Sequence, residues 1–226
     1  MCGRYDLNDR PNTRDLFGTL GVPGDLVERF NIAPGGIGQI VYETPQGRVL
    51  EDAYWSLLIE PKPDGSGYRP NPKYSTFNAQ SRRLTSSSLW KERYERQRAI
   101  IPASAFYEWT GEKGHKQCHR IQPVEGVIAF GGLYERWQFD DDLVTSFSII
   151  TLPPHPRFLH IHDKSIPLML EEKDFSVWLD HSFIGIDAFV SLMAPHIPNE
   201  LRIGIVASPS ASMGYELEMI YADSGV

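Results

Sequence analysis

The chain has 226 residues, 41% of them hydrophobic and 23% charged, which is enough apolar material for a core without staples, and its two cysteines, Cys2 and Cys118, exclude a disulfide framework. The formal net charge of −7 argues against indiscriminate attraction to nucleic acid. No apolar run of roughly 18 residues is present to span a membrane, and the polar start MCGRYDLNDR reads as neither a signal nor a transit peptide, so a cytoplasmic protein is expected.

In chain order, the first helix is expected at 13–20 (TRDLFGTL), with Asn12 or Thr13 as its N-cap. Strands follow at 38–43 and 48–54, joined by ETPQGR as a hairpin loop. The proline- and glycine-rich stretch 60–72 reads as a long loop, a length often tied to function. A second helix is expected at 86–97 with a serine cap. A strand pair at 98–102 and 105–110 is built around Pro102, and further strands are expected at 127–133 and 145–151. A third helix at 171–181 opens on acids, which suit a helix N-terminus. No internal repeat interrupts this series. Strands adjacent in sequence and separated by turns pair antiparallel. The expectation is therefore α+β: one domain, 1–226, of curved, mainly antiparallel, barrel-like sheets with flanking helices.

The charge is unevenly spread. Residues 62–98 hold nine Lys/Arg and three acids, +6 within a chain of −7, so the remainder carries −13. One reading is a solvated helix face with Lys91–Glu95 and Glu92–Arg96 pairs. The other is a local groove for one polyanionic strand, with Tyr68, Tyr74 and Phe77 as stacking platforms.

Chemistry gathers in five segments. Once Met1 is removed, Cys2 carries a free α-amine (pKa about 7.7–8.0) beside a thiol (about 8.5), so both are partly nucleophilic near neutrality. Together they trap aldehydes: the amine forms an imine and the thiol closes a five-membered thiazolidine. The same residue also suits acyl transfer, or is simply a small buried residue at a chain end. Glu108 lies between Tyr107 and Trp109 in an apolar run. A carboxyl among aromatics has a raised pKa and suits a general acid, whereas a solvent-facing strand glutamate does not. On an extended segment His160 and His162 share a face, with Asp163 beside them, as proton shuttles or, with His155 or with Cys118-His119, as metal ligands; the spacing supports metal weakly. Asn31 and Asn78 can orient an amine or a phosphate, or occupy turns.

In this order the segments resemble the SRAP family (SOS-response-associated peptidase). The resemblance rests on Met1-Cys2-Gly3-Arg4-Tyr5, Arg29-Phe30-Asn31-Ile32-Ala33-Pro34, Ala53-Tyr54-Trp55, Asn78-Ala79, Arg98-Ala99-Ile100-Ile101-Pro102, Phe106-Tyr107-Glu108-Trp109 and Ile161-His162-Asp163-Lys164. It implies an SRAP-like fold, no cofactor and no metal. The implied partner is single-stranded DNA containing abasic sites, which Cys2 captures as a covalent thiazolidine. Asn78 would position the amine and sugar, Glu108 would act as acid and base, and His162 would assist proton transfer. The matched motifs add Arg4, Asn31, Pro34, Trp55, Trp109 and Lys164 as expected DNA contacts, and Phe77 is expected to stack on bases in place of the family's groove tryptophans, which are absent here. Where the family reads Asn-Ala-Arg, this chain has Asn78-Ala79-Gln80, leaving Arg82 or Arg83 to take the phosphate. Trp55-Ser56 replaces Trp-Gly, and His162-Asp163-Lys164-Ser165-Ile166-Pro167 is one residue longer than the family's segment. The competing functions are an N-terminal-nucleophile peptidase or amidase, acting at least on its own Met1, and a non-covalent reader of single-stranded or modified DNA. A monomer is expected.

Overall fold

The computed structural model describes residues 3–22, 26–112, 114–184, 186–210 and 216–223. In chain order the elements are β1 (Arg4–Leu7), α1 (Pro11–Leu20), β2 (Arg29–Ile32), β3 (Ile37–Thr44), β4 (Gly47–Trp55), β5 (Ile59–Pro61), β6 (Tyr68–Pro70), β7 (Asn78–Gln80), α2 (Ser88–Arg96), β8 (Arg98–Ala103), β9 (Ala105–Thr110), β10 (Gln117–Pro123), β11 (Ile128–Phe139), β12 (Asp142–Leu152), β13 (Ile166–Pro167), α3 (Phe175–Leu179), β14 (Leu201–Val206) and β15 (Glu216–Ile220). Among the described residues, no helix is long and apolar enough to cross a membrane.

Five strands close a barrel. β11 pairs with β8, β8 with β3, β3 with β4 and β12 with β11, all antiparallel; β4 and β12 pair parallel at Tyr54–Ser146 and Trp55–Phe147. Closure leaves the barrel no edge to aggregate through. Short β7 and β13 both hang on β12. A second, antiparallel sheet runs β15-β14-β10-β9-β1-β2. The fold class is thus the expected α+β with curved sheets, but 98–102 and 105–110 are not a hairpin. β8 belongs to the barrel and β9 to the open sheet. The chain crosses between them at Ser104, whose backbone N–H (2.8 Å) and Oγ (3.1 Å) both donate to the Asp6 carbonyl. The 60–72 loop is in part the β5–β6 hairpin.

Tyr5 joins the two sheets. It is fully buried, 5.1 Å edge-on from Trp55 and 6.4 Å from Phe130, so β1 is pegged into the barrel core. Gly38 makes room for it, since a Cβ there would lie 1.9 Å from the Tyr5 hydroxyl.

The helices depart from expectation at their ends. Neither Asn12 nor Thr13 caps α1: Pro11 opens the helix, where its missing N–H is harmless, and Arg10 stands extended at the N-cap. Thr13 is buried with its hydroxyl 3.4 Å from Asn8 Oδ1. Ser87 occupies the N-cap of α2 without a side-chain cap bond. The third helix contracts to a 3-10 turn, Glu172–Asp174, and the single turn of α3. Only Phe175, Trp178 and Leu179 bury an apolar stripe there, and Arg98 takes the carbonyls that a longer helix would use.

Arg98 is 2% exposed, and its guanidinium hydrogen bonds go to backbone carbonyls. Its guanidinium donates to the carbonyls of Tyr94, Glu95, Trp178, Asp180 and Phe183 at 2.5–2.8 Å, ending α2 and α3 together. Burial lowers its pKa to about 10, still protonated at neutrality. Replacing Arg98 with Met leaves these carbonyls dry and without donors. A loss of about 3–5 kcal/mol in denaturant unfolding is expected. A loss below about 1 kcal/mol would show that water replaces the guanidinium.

Candidate functional site

Glu108 sits on β9 between two neighbours. β10 sets His119 opposite it, and β1 runs alongside with Arg4 opposite Tyr107. Continuing that register one residue toward the N-terminus brings Gly3 level with Glu108. Cys2, the expected nucleophile, lies outside the described residues, immediately before that position. Glu108 is 2% exposed. Its Oε2 is 3.4 Å from His162 Nδ1.

This contact would be an ion pair only with His162 protonated and Glu108 ionised, and burial opposes both. Desolvation raises the carboxyl to about 7 and lowers the imidazole to about 4. Between those values the pair holds a single proton, on Glu108. A carboxyl held near the working pH in this way can both give and take a proton.

His162 is held by a turn, not the extended segment expected. Its N–H and that of Ile161 both donate to the Phe158 carbonyl (2.9 and 3.0 Å), behind a 3-10 turn at Pro156–Phe158. The turn separates the two histidines: His162 faces Glu108, while His160 points outward to Glu218 Oε2 at 2.6 Å. His119 bonds to Thr110 Oγ1 at 2.8 Å, and His155 Nδ1 accepts from the Arg157 N–H at 3.2 Å. The imidazoles are thus dispersed, and among the described residues no group of three metal-binding side chains forms.

Two clefts lie nearby, one lined by His162 itself and the other sharing Lys164 with it. One, about 430 Å³, is lined by Trp109, Lys116, His160, His162 and Lys164. The other, about 320 Å³, lies between the residues after Asn78 (Gln80, Arg82), the end of β12, and Lys164 with Ser165. Lys164 borders both. Asn78 is buried at the head of β7, the strand leading into the second cleft. Gln80 Oε1 accepts from Arg82 Nε at 3.1 Å, steadying a guanidinium on the rim. That bond had no signal in the sequence beyond the departure at position 80. Lys116, too, was missed, because nothing local marks it.

The remaining expected contacts separate. Trp55 is corrected: at 0% exposure it cannot meet a bound strand. It packs edge-on against Tyr5 and Phe77, and its indole N–H donates to the Phe77 carbonyl at 2.8 Å, so it links β1 to the segment before Asn78. Phe77 is half-buried against it. Asn31 is held at φ 53, a left-handed backbone that asparagine tolerates. Its N–H donates to Asp6 Oδ1 at 2.8 Å and its amide to Ser210 Oγ at 3.3 Å. Pro34 is half-buried in the turn that follows. Arg4, half-buried on β1, donates to the Gly3 carbonyl at 3.0 Å. Arg83 is exposed beside Arg82.

The basic stretch 62–98 does not form one groove. Arg98 is in the core, Arg93 pairs with Glu135 and Arg69 with Glu60; of the stretch, Arg82 lines the second cleft. Tyr68 donates to Asp142 at 2.8 Å and packs on Phe139, so it is committed to the barrel rim, whereas Tyr74 is 60% exposed.

The family model described as SOS response associated peptidase (SRAP) matches residues 1–209. The chain is 29% identical over 218 residues to the abasic site processing protein YobE of Bacillus subtilis, covering 92% of this chain and 95% of that one. It is 24% identical over 197 residues to the abasic site processing protein YedK of Escherichia coli K12, covering 83% of each. Crystal structures of proteins from Bordetella bronchiseptica and Bacteroides thetaiotaomicron share the fold, with TM-scores of 0.73 and 0.74 at 18% and 17% identity. They cover 92% of this chain and 100% and 96% of theirs.

Proposed function

Because the chain belongs to the SOS response associated peptidase (SRAP) family, we propose that it processes abasic sites in DNA, and that Cys2, freed of Met1, does so by covalent capture in single strands. The observation that carries this reading is the buried Glu108–His162 contact of 3.4 Å, beneath a cleft and level with the start of β1. An aldehyde trap needs such a group. The ring-opened sugar presents an aldehyde, and the α-amine adds to it. Loss of water gives the imine, and that loss requires a proton delivered to the departing hydroxyl. The Cys2 sulfur then adds to the imine carbon while its proton passes to nitrogen, closing the thiazolidine with net release of one water. Glu108, titrating near 7, supplies and recovers these protons; neutral His162 relays them. Asn78 orients the amine and sugar. Trp109 and Lys164 on one side and Arg82 on the other hold the flanking strand, with the exposed faces of unpaired bases available to stack on the indole of Trp109. The protein works as a single-domain monomer.

Intact mass after mixing with an abasic single strand tests this. The expected species is protein lacking Met1 plus the strand, less one water, formed faster on single-stranded than on duplex sites. Binding without a covalent species would favour a reader. An adduct retaining Met1 would remove the amine from the mechanism, and turnover of added peptides would favour the peptidase.

A further inference from the structure

We infer that the C-terminal segment 216–223 is a positioning clamp on the turn that carries His162. The family match ends at residue 209, so this segment lies beyond it. It nevertheless grips residues 155–160 at three points. Glu218 Oε2 meets His160 Nε2 at 2.6 Å. The Tyr221 carbonyl accepts from Arg157 Nη1 at 2.7 Å, and Asp223 Oδ1 pairs with Arg157 Nη2. Asp223 Oδ2 lies 3.4 Å from His155 Nε2.

The clamp is itself anchored. β15 pairs with β14, and Asp223 bonds to Ile197 twice, accepting its N–H at 2.7 Å and donating to its carbonyl at 2.8 Å. From the inner side the turn is seated by buried Phe158 and Ile161, with Phe158 stacked 6.2 Å from Phe106. Phe106 and Glu108 share a face of β9, so the same strand that seats the turn bears the carboxyl that His162 must reach. His162 lies between an apolar seat and an ionic outer grip.

Half-exposed ion pairs such as these add little global stability, typically about 0–1 kcal/mol each. Their effect here is geometric. A turn seated only on its inner side can rock, and a displacement of about 1 Å at a reacting group can lower a rate about a hundredfold. Glu218 and Asp223 touch no reacting atom and act through His160, Arg157 and His155.

This inference rests on the proposed role of His162, so the experiment reads the turn and the chemistry separately. The Glu218→Gln/Asp223→Asn double variant is compared with wild type, and a chain truncated after residue 215 serves as a second variant. Three quantities are measured: amide exchange of Ile161 and His162, the maximal rate of adduct formation at saturating strand, and affinity for the strand in a Cys2→Ala background. The expected result is exchange at least tenfold faster at Ile161 and His162 with β9 unchanged. The maximal rate should fall about 10- to 100-fold and affinity should stay within about twofold. Unchanged exchange in the double variant overturns the clamp. So does a uniform fall of rate, affinity and thermal midpoint, which marks general destabilisation. If truncation prevents folding, the double variant decides. If wild type forms no adduct, the chemistry proposed above fails and the clamp stands or falls on exchange alone.

Discussion

Glu108→Gln is expected to slow covalent capture of an abasic single strand by about 10²–10⁴-fold while leaving affinity for the strand unchanged. The substitution keeps the shape of the side chain and removes its titratable proton. The carboxyl's value of about 7 arises from burial, and it makes Glu108 the one group in this contact that exchanges protons readily at neutrality. His162 cannot take over, because burial holds it near 4 and it stays neutral through the working range. The wild-type rate should therefore carry an inflection near pH 7 in addition to that of the Cys2 amine at about 7.7–8.0, and the variant should keep only the latter. Single-turnover rates from pH 5 to 9, with affinity measured in a Cys2→Ala background, provide the check. A variant reacting at the wild-type rate would falsify the assignment and leave Glu108 a buried structural carboxyl.

The same two residues predict opposite stability slopes with pH. In the unfolded chain the carboxyl titrates near its ordinary 4.5 and the imidazole near 6.5, so at pH 5.5 the proton sits on His162. In the fold it sits on Glu108. Glu108 has its folded value raised: its contribution is full below 4.5 and is lost as pH rises to about 7. His162 has its folded value depressed: its contribution is full above 6.5 and is lost as pH falls to about 4. Each effect amounts to about 3 kcal/mol, and over roughly pH 4.5–6.5 the two cancel. Wild type should show little slope from this pair in that window. Glu108→Gln uncovers the histidine, so its stability should climb with pH up to about 6.5. His162→Asn uncovers the carboxyl, so its stability should fall between about 4.5 and 7. Denaturant unfolding at half-unit pH steps reads both slopes. Parallel slopes in wild type and both variants would mean that these groups are not desolvated as described.

Much of the strand framework was legible in the sequence. The β3–β4 hairpin follows from β-branched runs around a turn-forming loop, and Glu108 follows from a carboxyl set between aromatics on a strand. These are local signals, carried by neighbours one to four residues apart, although β9 is buried on both faces from Ala105 to Glu108 rather than on alternate residues. The order of the motifs also determined the family. Tertiary structure decided what local signals cannot reach. His160 and His162 look equivalent in sequence, but a turn sends one to Glu218 and the other to Glu108. Trp55 is a DNA contact by motif, but barrel closure buries it between Tyr5 and Phe77. The cluster of nine cations looks like one patch, but Arg98 is drawn into the core by carbonyls from two helix ends and Arg93 by Glu135, leaving Arg82 on a cleft. In each case the deciding partner is distant in sequence and becomes a neighbour only when the sheets close, because burial and charge pairing depend on what the fold brings within a few ångströms.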